Sequence, residues 1–129
     1  MWIFDGTIEF HLGGEKQAQS SVVFHEERHN QGSVNIECFD FGKWVKESFN
    51  EEDYVLLSID IEGSEYEVLN KMLTDGSINH IDRLYVEFGI ATFGPPVLGR
   101  EELLREIANR GIYVYPDSMD SAVDAGVIE

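Results

Sequence analysis

The chain is short of cysteine, of positive charge and of long apolar runs, and each shortage excludes something. One cysteine, Cys38, in 129 residues closes no internal disulfide, which points to a reducing compartment. Nine lysines and arginines face 25 aspartates and glutamates, a formal net charge of −16. A surface that acidic repels phosphate backbones and anionic lipid, which disfavours nucleic-acid and membrane-surface roles. It suits a cation, a basic partner or plain solubility. No stretch approaches the roughly 20 apolar residues that span a bilayer. Met1-Trp2-Ile3-Phe4-Asp5 lacks the basic flank and apolar centre of a signal peptide, so the cytoplasm is the expected location. Neither G-x-G-x-x-G nor a P-loop occurs, and Gly13-Gly14 leads into no helix. A nucleotide-type cofactor therefore has no visible cradle here.

What is present is ordinary globular material, 43% hydrophobic and long enough for one domain with a core. Trp2-Ile3-Phe4, Asp5-Gly6 and Thr7 to Leu12 read as a hairpin, because Asp-Gly suits the type I′ turn. Its first strand is short, as if cut off by the start of the chain. Gly13 to Gln19 reads as a polar, glycine-containing loop, followed by Ser20-Ser21-Val22-Val23-Phe24. Val34 to Phe39 alternates as a strand does, and Cys38 within it reads as a structural thiol. Asp40 is placed to cap a short helix through Phe49.

The chain is organised around Tyr54 to Glu67. An apolar run, Tyr54-Val55-Leu56-Leu57-Ser58-Ile59, breaks into acid at Asp60 and Glu62, then Gly63, then Ser64 with Glu67 three residues on. The run predicts a parallel strand buried on both faces, and Ser64 and Glu67 have the spacing of a capping box. Val68, Leu69, Met72 and Leu73 have helical spacing up to Asp75-Gly76, and Ile81 to Phe88 is the next strand. Strand, helix, strand of this kind closes with its strands parallel. Ala91 to Gly99 is a loop, Arg100 to Arg110 a helix stopped by Gly111, and Ile112 to Tyr115 a last strand. The domain is expected over residues 1–115, with residues 116–129 an acidic tail.

Parallel sheets bind ligands at the carboxyl ends of their strands. Asp60, Glu62, Glu65 and Glu87 fall there and form the candidate site. Carboxylates gathered at such an edge raise one another's pKa, which makes a general base, or bind a divalent cation. The plainer reading of Glu65 and Glu67 is that first-turn acids favour the helix dipole. A second motif, His25-Glu26-Glu27-Arg28-His29, matches the H-E-x-x-H of zinc hydrolases, with Gly32 at the metzincin glycine position. Asn35 stands where a third histidine belongs, and Gln31-Gly32-Ser33 break any helix after barely a turn. The motif thus lacks the long helix and third ligand that zinc needs.

Val55-Leu-Leu-Ser-Ile-Asp60-Ile-Glu62-Gly63-Ser-Glu65, followed by Ile81 to Glu87-Phe88, resembles the C-terminal half of FkbM-type methyltransferases, whose hallmark is a D-x-E-G-x-E stretch and a later strand ending in acid. The resemblance runs from about Trp2 to Tyr115. It implies a partial Rossmann-like α/β methyltransferase sheet with a β-hairpin-rich N-terminal region. It also implies S-adenosylmethionine as cofactor and a hydroxyl group, on a small molecule or glycan, as acceptor. Asp60 and Glu62 would line the site, with Glu65 and Glu87 beside them. The family's glycine-containing cofactor loop has no counterpart in this sequence, and Ser58 and Gly89 replace a frequent lysine and histidine. The resemblance therefore implies a truncated domain, inactive or very weak alone, or completed by a second copy or another chain. The alternatives are a non-catalytic acidic α/β module and a zinc hydrolase at His25, Glu26 and His29.

Overall fold

The computed structural model describes residues 1–13, 32–61, 63–89 and 98–116. Five strands and three α-helices follow in the order β1 (Gly6–His11), β2 (Ser33–Cys38), α1 (Phe41–Ser48), β3 (Leu56–Ile59), α2 (Glu65–Asp75), β4 (Arg83–Val86), α3 (Arg100–Ala108) and β5 (Tyr113–Pro116), with a 3₁₀ turn at Ser77–His80. They make a two-stranded antiparallel ribbon, β1-β2, and a three-stranded parallel sheet in the order β3-β4-β5. The α/β class and the parallel pairing of β3 with β4 are as expected. None of the helices among the described residues is long and apolar enough to cross a membrane.

The N-terminal hairpin is a correction. Gly6–His11 pairs with Ser33–Cys38, Ile8 opposite Ile36, and not with Trp2-Ile3-Phe4. Trp2 forms only an isolated parallel bridge to Asp40, its N–H donating to the Phe39 carbonyl at 2.8 Å and its carbonyl accepting from Phe41 at 2.9 Å. Asp5, placed in a turn by its Asp-Gly sequence, instead accepts from the Asp40 N–H and the Lys43 ammonium, both at 2.9 Å. A carboxylate that secures the start of α1 outcompetes a local turn because it satisfies a helix-end donor. Cys38 is half-buried, its thiol directed at the Phe4 carbonyl 3.5 Å away.

The helices form where their caps and stripes lie. Asp40 caps α1, its carboxylate accepting from the Lys43 N–H at 3.1 Å. Gly76 ends α2 in the left-handed region at φ +82°, which a Cβ would disfavour. The apolar stripes meet one face of the sheet. Val45, Val68, Leu69, Met72, Leu103 and Ile107 join Leu57, Ile59, Leu84 and Val86 in one core. Burying each such side chain contributes about 1.5–3 kcal/mol.

All three helices share that face, and this overturns the expectation of a β3 buried on both sides. Val55, Leu57 and Ile59 are buried, whereas Tyr54, Leu56 and Ser58 point the other way and are exposed. The sequence conceals the alternation because leucine occupies both faces. On the second face Tyr85 stacks on Tyr115 at 4.3 Å and Arg83 donates to the Tyr115 hydroxyl at 3.2 Å.

A close approach joins α1 to the end of α2. A Cβ on Gly42 would collide with the Asp75 carboxylate and lie 2.7 Å from the Ser77 hydroxyl, while Lys71 bridges Asp40 at 3.3 Å and Asp75 at 3.2 Å. Gly42→Ala should therefore lower stability by about 1–2 kcal/mol, the collision outweighing alanine's better helix propensity. Urea unfolding with an unchanged m value checks this, and a more stable variant would show that the helices separate freely.

Candidate functional site

The carboxyl ends of β3 and β4 lie side by side, the Glu87 N–H donating to the Ile59 carbonyl at 3.0 Å. Asp60 leaves β3 and Glu87 leaves β4 at this rim, both exposed. Glu62 lies outside the described residues. Glu65 does something different from what its spacing suggests.

Its side chain is fully buried. Oε2 accepts from the Ile61 N–H at 2.6 Å, the Gly63 N–H is shared between the two oxygens at 3.1 and 3.2 Å, and Oε1 accepts from the Gly89 N–H at 2.7 Å. One carboxylate thus clamps the turn after β3 to the segment after β4. Burial pushes its pKa above the ordinary 4.5, while the backbone donors of Gly89, Ile61 and Gly63 pull the other way. No carboxylate is among the causes, so the expected mutual elevation of clustered acids is replaced by desolvation. The expected capping box is also absent. Ser64 is itself helical, at φ −78° and ψ −6°, and its side chain makes no cap. Glu65 rather than Ser64 occupies the donors of the turn.

Because the Ile61 and Gly63 N–H groups are used by Glu65, those two donors of the turn are not available to an anion. Among the described residues no three histidine, cysteine, aspartate or glutamate side chains converge closely enough to hold a metal ion. His25, Glu26 and His29 lie outside them. A cleft of about 130 Å³ separates the β1-β2 ribbon from this turn, lined by Ile8, Phe10, Ile36, Cys38, Ile61 and Ser64. The Ser64 hydroxyl is buried there with no hydrogen-bond partner.

Sequence reasoning missed the struts that hold this rim. Tyr66 packs on Phe88 with ring centroids 4.7 Å apart, and the Arg100 guanidinium lies 5.7 Å from the Phe88 ring. Asn70 exchanges hydrogen bonds with Leu98, accepting from its N–H at 3.0 Å and donating to its carbonyl at 3.4 Å. The signal available was weak, an asparagine on an otherwise regular helix.

A parallel α/β sheet with acids at its strand ends, the first followed by a glycine turn, is an arrangement used by methyl-transferring enzymes among others. The chain matches the Methyltransferase FkbM domain over residues 2–108, most of its length, and it belongs to that family. No curated protein and no solved structure matches it.

Glu65→Gln should cost about 1–3 kcal/mol, because an amide nitrogen would face backbone N–H groups that it cannot accept from. The pH dependence has a definite sign. With its pKa raised in the folded state, the native protein holds a proton that the unfolded chain has lost above pH 4.5. This group's contribution is full below 4.5 and declines as pH rises towards the folded value. Chemical denaturation across that window should show this slope in the parent and not in Glu65→Gln.

Proposed function

We propose that the chain is an S-adenosylmethionine-dependent O-methyltransferase domain whose acceptor is a hydroxyl group on a small molecule or glycan. The observation that carries this reading is the Glu65 clamp. It fixes the D-x-E-G turn of a methyltransferase family against the end of the next strand. Asp60 is thereby held at the rim beside Glu87, where an exposed carboxylate is available to accept a hydroxyl proton. Glu62, two residues on in the sequence, is the second candidate for that role. Glu65 is a positioning residue, since both its oxygens are occupied by backbone donors.

S-adenosylmethionine supplies an electrophilic methyl group when bound. Glu65 already occupies the Ile61 and Gly63 N–H groups of the turn after β3, so that turn does not offer them to the cofactor. The sequence holds no counterpart of the family's glycine-containing cofactor loop, and acting alone the chain should be inactive or very weak.

Calorimetric titration with S-adenosylmethionine tests the second point: no heat of binding is expected near 1 mM, roughly a −4 kcal/mol interaction, and clear saturation would overturn it. The first point is tested by transfer of labelled methyl to hydroxyl acceptors. Any trace rate should fall about 10²–10⁴-fold in Asp60→Asn with Glu62→Gln, the range typical of losing a general base. A rate that survives both substitutions removes these carboxylates from the chemistry.

A further inference from the structure

The cleft between the β1-β2 ribbon and the turn after Asp60 bears on the acceptor, and the inference from it rests on the methyltransferase reading. Paired residues of an antiparallel ribbon share a face. Ile8 lies opposite Ile36, Phe10 opposite Val34 and Gly6 opposite Cys38, so one face of the ribbon is apolar. The other carries Thr7, Glu9, Asn35 and Glu37, all exposed. A ribbon patterned in this way ordinarily lays its apolar face on the core. Here Ile8, Phe10 and Ile36 are half-buried, and none of them joins the core that the sheet and helices share. They line the cleft of about 130 Å³ together with Ile61 and Ser64 of the turn. Met1, Glu37 and Cys38 complete the lining.

Size and chemistry select the occupant. An apolar cavity of about 150 Å³ takes up benzene, so this cleft has room for roughly one six-membered ring or a short branched alkyl group. Glu37 is the one charged residue in the lining, and Asp60 stands exposed just before Ile61. Both are acids, which disfavours an anionic ligand. A sugar is disfavoured for a different reason. Each of its hydroxyls moved from water to an apolar wall without a partner costs roughly tenfold in affinity. Ser64 carries the one side-chain hydroxyl of the lining, 1% exposed and without a hydrogen-bond partner. That is too few polar groups for the several hydroxyls of a sugar.

We propose that this cleft is the acceptor subsite and that the acceptor is an uncharged, apolar alcohol, a phenol or a branched alkyl alcohol, and not a glycan. Its apolar body lies against Ile8, Ile36 and Ile61, and its hydroxyl is directed to the Asp60 end of the turn. The ribbon then has a function that its pattern explains: its apolar face is a wall for substrate instead of a layer of the core.

The test uses the full chain and para-cresol, with para-hydroxybenzoate as an anionic control built on the same ring and methyl glucoside as the sugar control. Cys38 is the single cysteine of the chain and lines the cleft, so its reaction with a thiol reagent reports occupancy. Para-cresol should bind with a Kd below about 1 mM and slow the labelling of Cys38. Each control should bind at least about tenfold more weakly. Ile36→Phe fills the cleft from the ribbon and should weaken para-cresol at least about tenfold with an unchanged thermal midpoint. Ile8→Phe, on the paired strand, fills it as well and serves if the first variant fails to fold. The inference is overturned if para-cresol fails to bind at about 1 mM, if either control matches it, or if a folded filling variant binds it as the parent does. These measurements need no cofactor, so they fail separately from the methyltransferase reading. A methyl-transfer rate that survives Asp60→Asn with Glu62→Gln removes that reading and leaves the apolar-alcohol site standing. Labelled methyl passed to methyl glucoside in preference to para-cresol overturns this inference alone.

Discussion

The carboxylate of Glu65 is the constraint on which the rim of the sheet depends. It is buried completely, yet it accepts three backbone N–H groups drawn from two segments that lie 26 to 28 residues apart in the chain, Ile61 and Gly63 on one side and Gly89 on the other. A buried acid costs stability unless its oxygens are satisfied. Here the donors come from loop backbone, which would itself be costly to leave unpaired. Each side of the contact satisfies the other, so the turn after β3 and the end of β4 are joined through one side chain. Asp60 and Glu87 sit at the strand ends that this clamp holds together.

The second organising fact is that the helices cover one face of the sheet. α1, α2 and α3 share a core with Leu57, Ile59, Leu84 and Val86, while the opposite face presents Tyr54, Leu56 and Tyr113 to solvent and stacks Tyr85 on Tyr115. A parallel sheet is ordinarily covered on both faces. Among the described residues no element covers this second face or pairs with the outer edge of β3, and the aromatic wall of α1 lies beside that edge.

Much of the fold was legible from local patterns. Asp40 before a helix, Gly76 and Gly111 after helices, and the spacing of Val68, Leu69 and Met72 all act within a turn or two of chain, and the structure places each as read. The D-x-E-G-x-E stretch carried the family, which the match over residues 2–108 establishes. The reading erred where the deciding partner was distant. Asp5-Gly6 has the composition of a hairpin turn, but Asp5 is drawn to Asp40 and Lys43, 35 and 38 residues away. Ser64 and Glu67 have capping-box spacing, but Glu65 reaches the turn's donors first because burial against Gly89 holds it there.

By itself, then, the sequence determined the order and kind of elements from α1 onward, the acidic strand ends and the family, since periodicity, caps and motifs are written in neighbouring residues. Tertiary structure alone decided that β1 pairs with β2, that β3 exposes one face among the described residues, and that one of four candidate acids is a clamp. Those outcomes turn on contacts across 22 or more residues. Spacing shows that a carboxylate is near a strand end, but only the fold shows whether it meets solvent, as Asp60 does, or backbone donors, as Glu65 does.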